Sequence, residues 1–212
     1  YFGIKHLSDR QYYLVSGIVI AEILLPFLLM FERRKPKARE IVTLSVLSAI
    51  CVAGRSIFFM VPQFKPMAAI IIISGACLGY ESGMIVGAVS AFVSNLFFGQ
   101  GPWTVWQMTA FALIGLVSGL VFDSFKVKKS KTALCIFGFL ATFLIYGGIL
   151  NPASVLMMNP EPSSKLLLSS FVVGFPFDLI HSLSTVVFLL VMAEAFVGKI
   201  ERVKIKYGLF GD

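Results

Sequence analysis

Five side chains that bind or exchange protons lie where the surrounding residues are almost all apolar: Arg55, Asn95, Gln107, Asp178 and His181. Each costs about 2.5–3.5 kcal/mol to place inside a bilayer, or somewhat less for the amides, so each calls for a partner or a ligand. Asp178 and His181 are three residues apart, which on a helix puts them on one face. Two readings of the set are open. Arg55 and Asp178 form a structural ion pair while His181 satisfies a backbone carbonyl, or all five line one polar cavity. The second reading also gives the two amides a task.

Aromatic residues keep company with these groups. Phe58, Phe59, Phe64, Phe97, Phe98, Trp103 and Trp106 concentrate near Arg55, Asn95 and Gln107, and Gln63, Lys65 and Gln100 interleave with them. An aromatic belt at the membrane surface is one reading. The other is a small-molecule site, because rings supply buried area while amides and cations fix orientation. Catalysis is poorly served by the same inventory. His181 with Asp178 and either Glu81 or Glu22 is the nearest approach to a catalytic set, but a metal hydrolase needs paired ligands, and a second histidine occurs only at His6. No glycine loop followed by lysine and serine or threonine is present for nucleotide phosphates. Cys51, Cys77 and Cys135 have neither metal-ligand nor disulfide spacing and read as packing residues.

The elements that must position these groups are membrane helices. Seven apolar stretches, at 12–31, 40–61, 66–83, 84–98, 104–122, 133–150 and 166–198, approach the roughly 20 residues that cross a bilayer. The third and fourth are short and meet around Tyr80 to Gly83, so a buried hairpin with a tight turn is the alternative there. The last is long enough to tilt or break, and Pro176 is the expected point of a break. Glu22, one turn before Pro26 in the first stretch, reads as an interhelical hydrogen bond. Twenty residues with a glutamate and no small-residue cleavage site also make that stretch unlike a signal peptide.

Basic residues orient the bundle. Arg33, Arg34, Lys35, Lys37 and Arg39 form one cluster, Lys126, Lys128, Lys129 and Lys131 a second, and Lys199, Arg202, Lys204 and Lys206 a third. Seven crossings place all three on one side, the cytoplasmic one, with the N-terminus outside and the C-terminus inside. The loops at 62–66, 99–104 and 151–165 then face outward with two lysines between them, Lys65 and Lys165. The net charge of +7 is thereby accounted for without nucleic acid, and 58% hydrophobic residues fit a lipid-embedded chain. The expectation is an all-α, multi-pass protein of the cell membrane.

Small residues suggest how the helices pack. Gly75, Gly79, Gly83 and Gly87 recur every fourth position, and Gly115 with Gly119 repeats the spacing, which favours close backbone approach within the bundle. Ser45, Ala49 and Ala53 form a separate small-residue stripe among bulky neighbours. From spacing alone it serves either internal packing or docking of another membrane subunit.

The run from Gly54 to Phe59, followed by Pro62-Gln63-Phe64-Lys65-Pro66, and the run from Phe97 to Met108 resemble the substrate-binding subunits of energy-coupling factor (ECF) vitamin transporters. Within that family the chain is most similar to the branch associated with cobalamin uptake. The resemblance covers residues 40–198 and implies a six-helix substrate-binding core. Residues 1–39 then supply an extra N-terminal transmembrane helix and a basic loop, and 199–212 a basic tail. It implies capture of a vitamin from outside, association with a transmembrane coupling subunit and two ATPases, and toppling in the membrane to release cargo. ATP would be used by the partners, and no cofactor would be held permanently. Ala49 and Ala53 match the family's docking stripe, and Ser45 extends it.

For substrate, the resemblance points to cobalamin and to Arg55, Phe58, Phe59, Gln63, Phe64, Lys65, Asn95, Gln100, Trp103, Trp106, Gln107, Asp178 and His181 as its contacts. Arg55 or Lys65 would attract its phosphate. Another vitamin or precursor, or a stand-alone secondary transporter or channel, remains the alternative.

Overall fold

A computed structural model describes residues 37–159 and 162–209. The expected first span with Glu22 and Pro26, and most of the first basic cluster, lie outside the described residues. Six helices follow in order: α1 (Ala38–Ile57), α2 (Met67–Leu78), α3 (Tyr80–Phe98), α4 (Trp103–Ser124), α5 (Lys131–Met158) and α6 (Ser164–Tyr207). Five are long and apolar enough to cross a membrane. The exception, α2, has the most consequence for the fold.

All twelve residues of α2 are buried, from Met67 through the run Ile70 to Ile73 and on to Leu78. A helix apolar all round belongs at the centre of a bundle. The other helices enclose it, α3, α4 and α6 most extensively. At about 1.5 Å per residue it is only about 18 Å long, too short to span. The loop between Phe58 and Pro66 makes up the difference by entering the bundle, which backbone can do only where protein or a water-lined cavity satisfies it. Ser184 on α6 supplies that satisfaction: the Lys65 N–H donates to its Oγ at 2.9 Å, and the Oγ reaches the Lys65 carbonyl at 3.4 Å. Pro66 closes against Gly54 of α1, where a Cβ would lie 2.5 Å from its ring.

The turn between α2 and α3 is narrower than the sequence suggests. It is the single residue Gly79, with φ +94°, so the boundary lies before Tyr80 and not after Gly83. Only glycine takes that conformation without strain, and this is what makes so abrupt a reversal possible. The glycine repeats serve the hairpin and α4. A Cβ on Gly83 would collide with the Gly115 carbonyl, one on Gly115 with the Gly83 carbonyl, and one on Gly87 with the Phe111 carbonyl. Backbones in contact maximise dispersion where lipid provides no hydrophobic drive.

Two further boundaries differ. The expected span at 133–150 stops short, for α5 continues to Met158 with Pro152 inside it, so the loop expected from Asn151 is helical for its first two turns. A π-helical turn at Thr142–Tyr146 interrupts α5, and another ends α4 at Leu120–Ser124. In the last span the helix runs through Pro176 without a break, giving 44 continuous residues. A proline in a packed membrane helix forfeits one backbone bond without ending the helix.

Ion pairs and backbone contacts gather Lys37, Arg39, Lys129, Lys131 and Lys204, members of the three basic clusters, at one end of the bundle. Lys204 Nζ donates to the Cys77 carbonyl at 3.0 Å and lies 3.7 Å from Asp123, while Lys129 pairs with Glu201 at 2.9 Å and Lys131 with Glu194 at 3.7 Å. Lys37 Nζ reaches the Gly208 carbonyl at 3.4 Å, and the Arg39 guanidinium sits 5.4 Å from the Tyr207 ring centre. The opposite end carries the aromatic loops.

Candidate functional site

At that opposite end the last turns of α1 and α3 meet the first turn of α4. Arg55 projects from α1, and its Nη1 donates to Ser94 Oγ at 2.6 Å and to Asn95 Oδ1 at 2.8 Å. Asn95 is fully buried, and its amide nitrogen donates to Gln107 Oε1 at 2.9 Å and Thr104 Oγ1 at 3.2 Å. Its orientation is thus dictated on both sides: the guanidinium demands an acceptor, and the α4 groups demand a donor. Thr104 continues the chain by donating to Gln100 Oε1 at 2.8 Å while accepting from the Gly101 N–H at 3.2 Å. The irregular loop between α3 and α4 is folded by the same network that holds the arginine.

Rings wall this network. Phe98 lies 5.0 Å beneath the Arg55 guanidinium and stacks on Phe59 at 4.9 Å. A cation over a ring face gains attraction beyond contact area. Phe58, Phe64 and Phe188 form a second group with centroids 5.0–5.7 Å apart, which fastens the inserted loop to α6. Lys65, next to Phe64, is half-buried.

The network reaches α6 through a residue absent from the sequence-based set, Tyr146. Its hydroxyl meets Gln107, and its ring stands edge-on to His181 with centroids 4.6 Å apart. Phe111 flanks the same imidazole at 6.2 Å. His181 is 3% exposed, and its Nδ1 has no hydrogen-bond partner. Such an orphan is costly, and a ligand is one way to relieve it. Tyr146 is the last residue of the π-helical turn, whose extra residue changes the register of α5 at this point. Thr142, at the start of that turn, bonds Thr185 of α6 at 3.2 Å.

Asp178 has its own partner. Asn151 Nδ2 donates to its Oδ2 at 2.7 Å, and the carboxylate rests on Gly147, where a Cβ would lie 2.6 Å from it. Arg55 and Asp178 therefore do not form the ion pair envisaged from sequence, and His181 does not bond a carbonyl through Nδ1.

Of the sequence-based residues, direct hydrogen bonds unite Arg55, Asn95 and Gln107, with Gln100 joined to them through Thr104 and Phe59 through Phe98. Phe58 and Phe64 pack on Phe188, beside Lys65. Asp178 sits one turn before His181. Trp103 is 41% exposed and folds over Gly101, Trp106 is half-buried one turn before Ala110, and Gln63 holds a left-handed conformation with φ 57° in the inserted loop. Ser94, Thr104, Phe98, Phe188, Tyr146 and Asn151 are additional. Ser94 and Thr104 adjoin flagged positions, whereas nothing in sequence distinguishes Tyr146 from any interfacial tyrosine.

Ser45, Ala49 and Ala53 are exposed along α1, opposite the buried Leu44, Leu47, Ser48, Cys51 and Gly54. No described helix covers that stripe.

Known proteins place the chain in a family. Residues 35–197 match the family described as ECF-type riboflavin transporter, S component. A UPF0397 protein of Vibrio atlanticus (strain LGP32) is 23% identical over 140 residues, covering 61% of this chain and 76% of its own length. UPF0397 proteins of Aliivibrio fischeri, strains MJ11 and ATCC 700601 / ES114, are each 27% identical over 88 residues, 39% of this chain and 48% of theirs. The chain thus spans about half the length of those two. No solved structure matches. With its match covering most of the sequence and five helices able to cross a bilayer, the chain belongs to the ECF-type riboflavin transporter S component family and is a membrane-embedded, substrate-specific transporter subunit.

Proposed function

We propose that this subunit binds a vitamin at the aromatic end of the bundle, on the outer side of the membrane, and that cobalamin is its cargo. The observation that carries the reading is the continuous polar chain from Arg55 through Asn95 and Gln107 to Tyr146, which stands between two groups of rings and ends at an imidazole with an unpartnered nitrogen. Pre-oriented amides and cations among rings suit a large ligand with many peripheral amides and a phosphate. Phe58, Phe59, Phe64, Trp103 and Trp106 supply its apolar contacts, and Gln63, Gln100 and Asp178 its rim. His181 offers a hydrogen bond, not a bond to cobalt. A second reading, riboflavin, is favoured by the substrate in the family's description.

Transport would then follow the family's scheme. A coupling subunit docks on Ser45, Ala49 and Ala53, two ATPases supply the energy, and the subunit topples to release its cargo. Smooth small residues suit a contact that forms and dissolves in each cycle.

Calorimetric titration of the purified subunit with cobalamin, riboflavin and pantothenate tests the cargo. Saturable submicromolar binding of cobalamin alone is expected. Binding of riboflavin alone would replace cobalamin with the second reading. Transport by the chain without ATPase partners would instead make it a stand-alone carrier.

A further inference from the structure

Two cations, Arg55 and Lys65, belong to the aromatic end of the bundle, and the carboxylate of Asp178 is already engaged elsewhere. The Arg55 guanidinium bonds only neutral groups, Ser94 and Asn95, and is backed by the Phe98 ring. Asp178 is held by Asn151 across α5 and α6. The backbone of Lys65 is pinned to Ser184, but among the described residues its ammonium has neither a hydrogen-bond nor an ion-pair partner. Both cations are half-buried. They are also close: Phe58, three residues after Arg55, packs on Phe64, the residue before Lys65, at 5.7 Å.

Like charges held together at reduced solvation are unfavourable unless an anion joins them. A lysine that served only to meet water or lipid headgroups would sit on an unconstrained loop. This one is on a loop whose preceding ring is inserted between Phe58 and Phe188 and whose backbone is bonded on both sides of the residue. The backbone at Lys65 is fixed by Ser184, while the Arg55 guanidinium is held by Ser94 and Asn95. His181 adds a third group in need of a partner further along the same network.

From this arrangement we propose that Arg55 and Lys65 together receive a phosphate group carried by the transported ligand. The inference rests on the vitamin-binding reading and narrows it to phosphate-bearing substrates. It separates cobalamin, which has a phosphodiester, from riboflavin, which has no ionised group at neutral pH.

The test uses the purified subunit in phosphatidylcholine nanodiscs and two matched pairs of ligands, cobalamin with cobinamide and flavin mononucleotide with riboflavin. In each pair only the first member carries phosphate. Expected is a preference of about ten-fold or more, the equivalent of about 1.4 kcal/mol, for the phosphate-bearing member of whichever pair binds. Lys65→Gln removes the preference by weakening the phosphate-bearing member about ten-fold more than the phosphate-free one, while Lys65→Arg retains it. Lys65 is chosen because its side chain holds no other element in place, whereas Arg55 joins α1 to α3. Equal affinities within both pairs, or equal losses for both members in Lys65→Gln, overturn the inference and leave vitamin binding standing. Failure of all four ligands to bind overturns the vitamin reading and this inference with it. Loss of the preference when phosphatidylglycerol is added to the nanodiscs would assign the two cations to a lipid headgroup, which also overturns it.

Discussion

Asn95 is the joint of the polar network, since its one amide satisfies an arginine on α1 and two acceptors on α4. Replacing it with leucine preserves bulk and removes three hydrogen bonds at once, each of net worth about 0.5–1.5 kcal/mol. Asn95→Leu should therefore lower thermal stability in detergent and weaken ligand binding together, as read by melting and calorimetry. A variant that melts and binds like the parent would show that water satisfies these groups as well as the amide does. Tyr146→Phe makes a finer cut. It keeps the ring against His181 and removes only the hydroxyl that meets Gln107. A stability loss of about 0.5–1.5 kcal/mol, the net worth of one hydrogen bond, accompanied by weaker ligand binding is expected. Loss of stability without loss of affinity would make Tyr146 a packing residue.

At the scale of elements, the α2–α3 hairpin and α4 are a single glycine-packed unit, and α5 is joined to α6 by side chains. Gly115→Val forces a side chain into the Gly83 backbone, which cannot yield as a flexible side chain would. Over-packing of this kind costs about 1–3 kcal/mol and more when backbone is the obstacle. The variant should fail to accumulate or melt far below the parent. Gly148, on the exposed side of α5, has nothing within 4 Å of where a Cβ would stand. Gly148→Ala should leave stability unchanged or raise it by up to about 1 kcal/mol, the usual gain of alanine over glycine in a helix. Equal effects of the two substitutions would dissociate the glycine pattern from packing. The inserted loop obeys the same logic: because α2 is too short to span, Phe64 and Lys65 are carried into the bundle and not onto its rim.

Across the whole molecule, the candidate binding end and the small-residue stripe of α1 are separate surfaces on one helix, Arg55 on one face and Ala49 on another. Ala49→Trp should abolish vitamin uptake by cells that express the coupling module, while the purified variant binds ligand with parental affinity. Normal uptake by that variant would remove the stripe as a docking surface. The opposite end of the bundle is tied by pairs such as Lys129 with Glu201 and by the Lys204 bond to the α2 terminus. Exposed pairs of this kind contribute only about 0–1 kcal/mol each. Their use is to hold the last turns of α6 beneath the other helices.

Hydrophobic length and the placement of lysine and arginine are local properties, so the helices of the core, the gathering of basic segments at one end and the membrane setting were legible in the sequence. So was the membership of Arg55, Asn95 and Gln107 in one network, because a polar side chain in an apolar span must find a partner and three such residues fell near the same end. What joined them was decided by tertiary structure. Asn95, not Asp178, answers Arg55, since the last turn of α3 packs on α1 while Asp178 is held against α5. Asn151 left its expected loop because α5 runs two turns further, and it thereby reached Asp178. Tyr146 ends a π-helical turn, whose extra residue changes the register of α5 without leaving any mark in residue type. Periodicity tells which residues share a face. Only packing tells which faces meet.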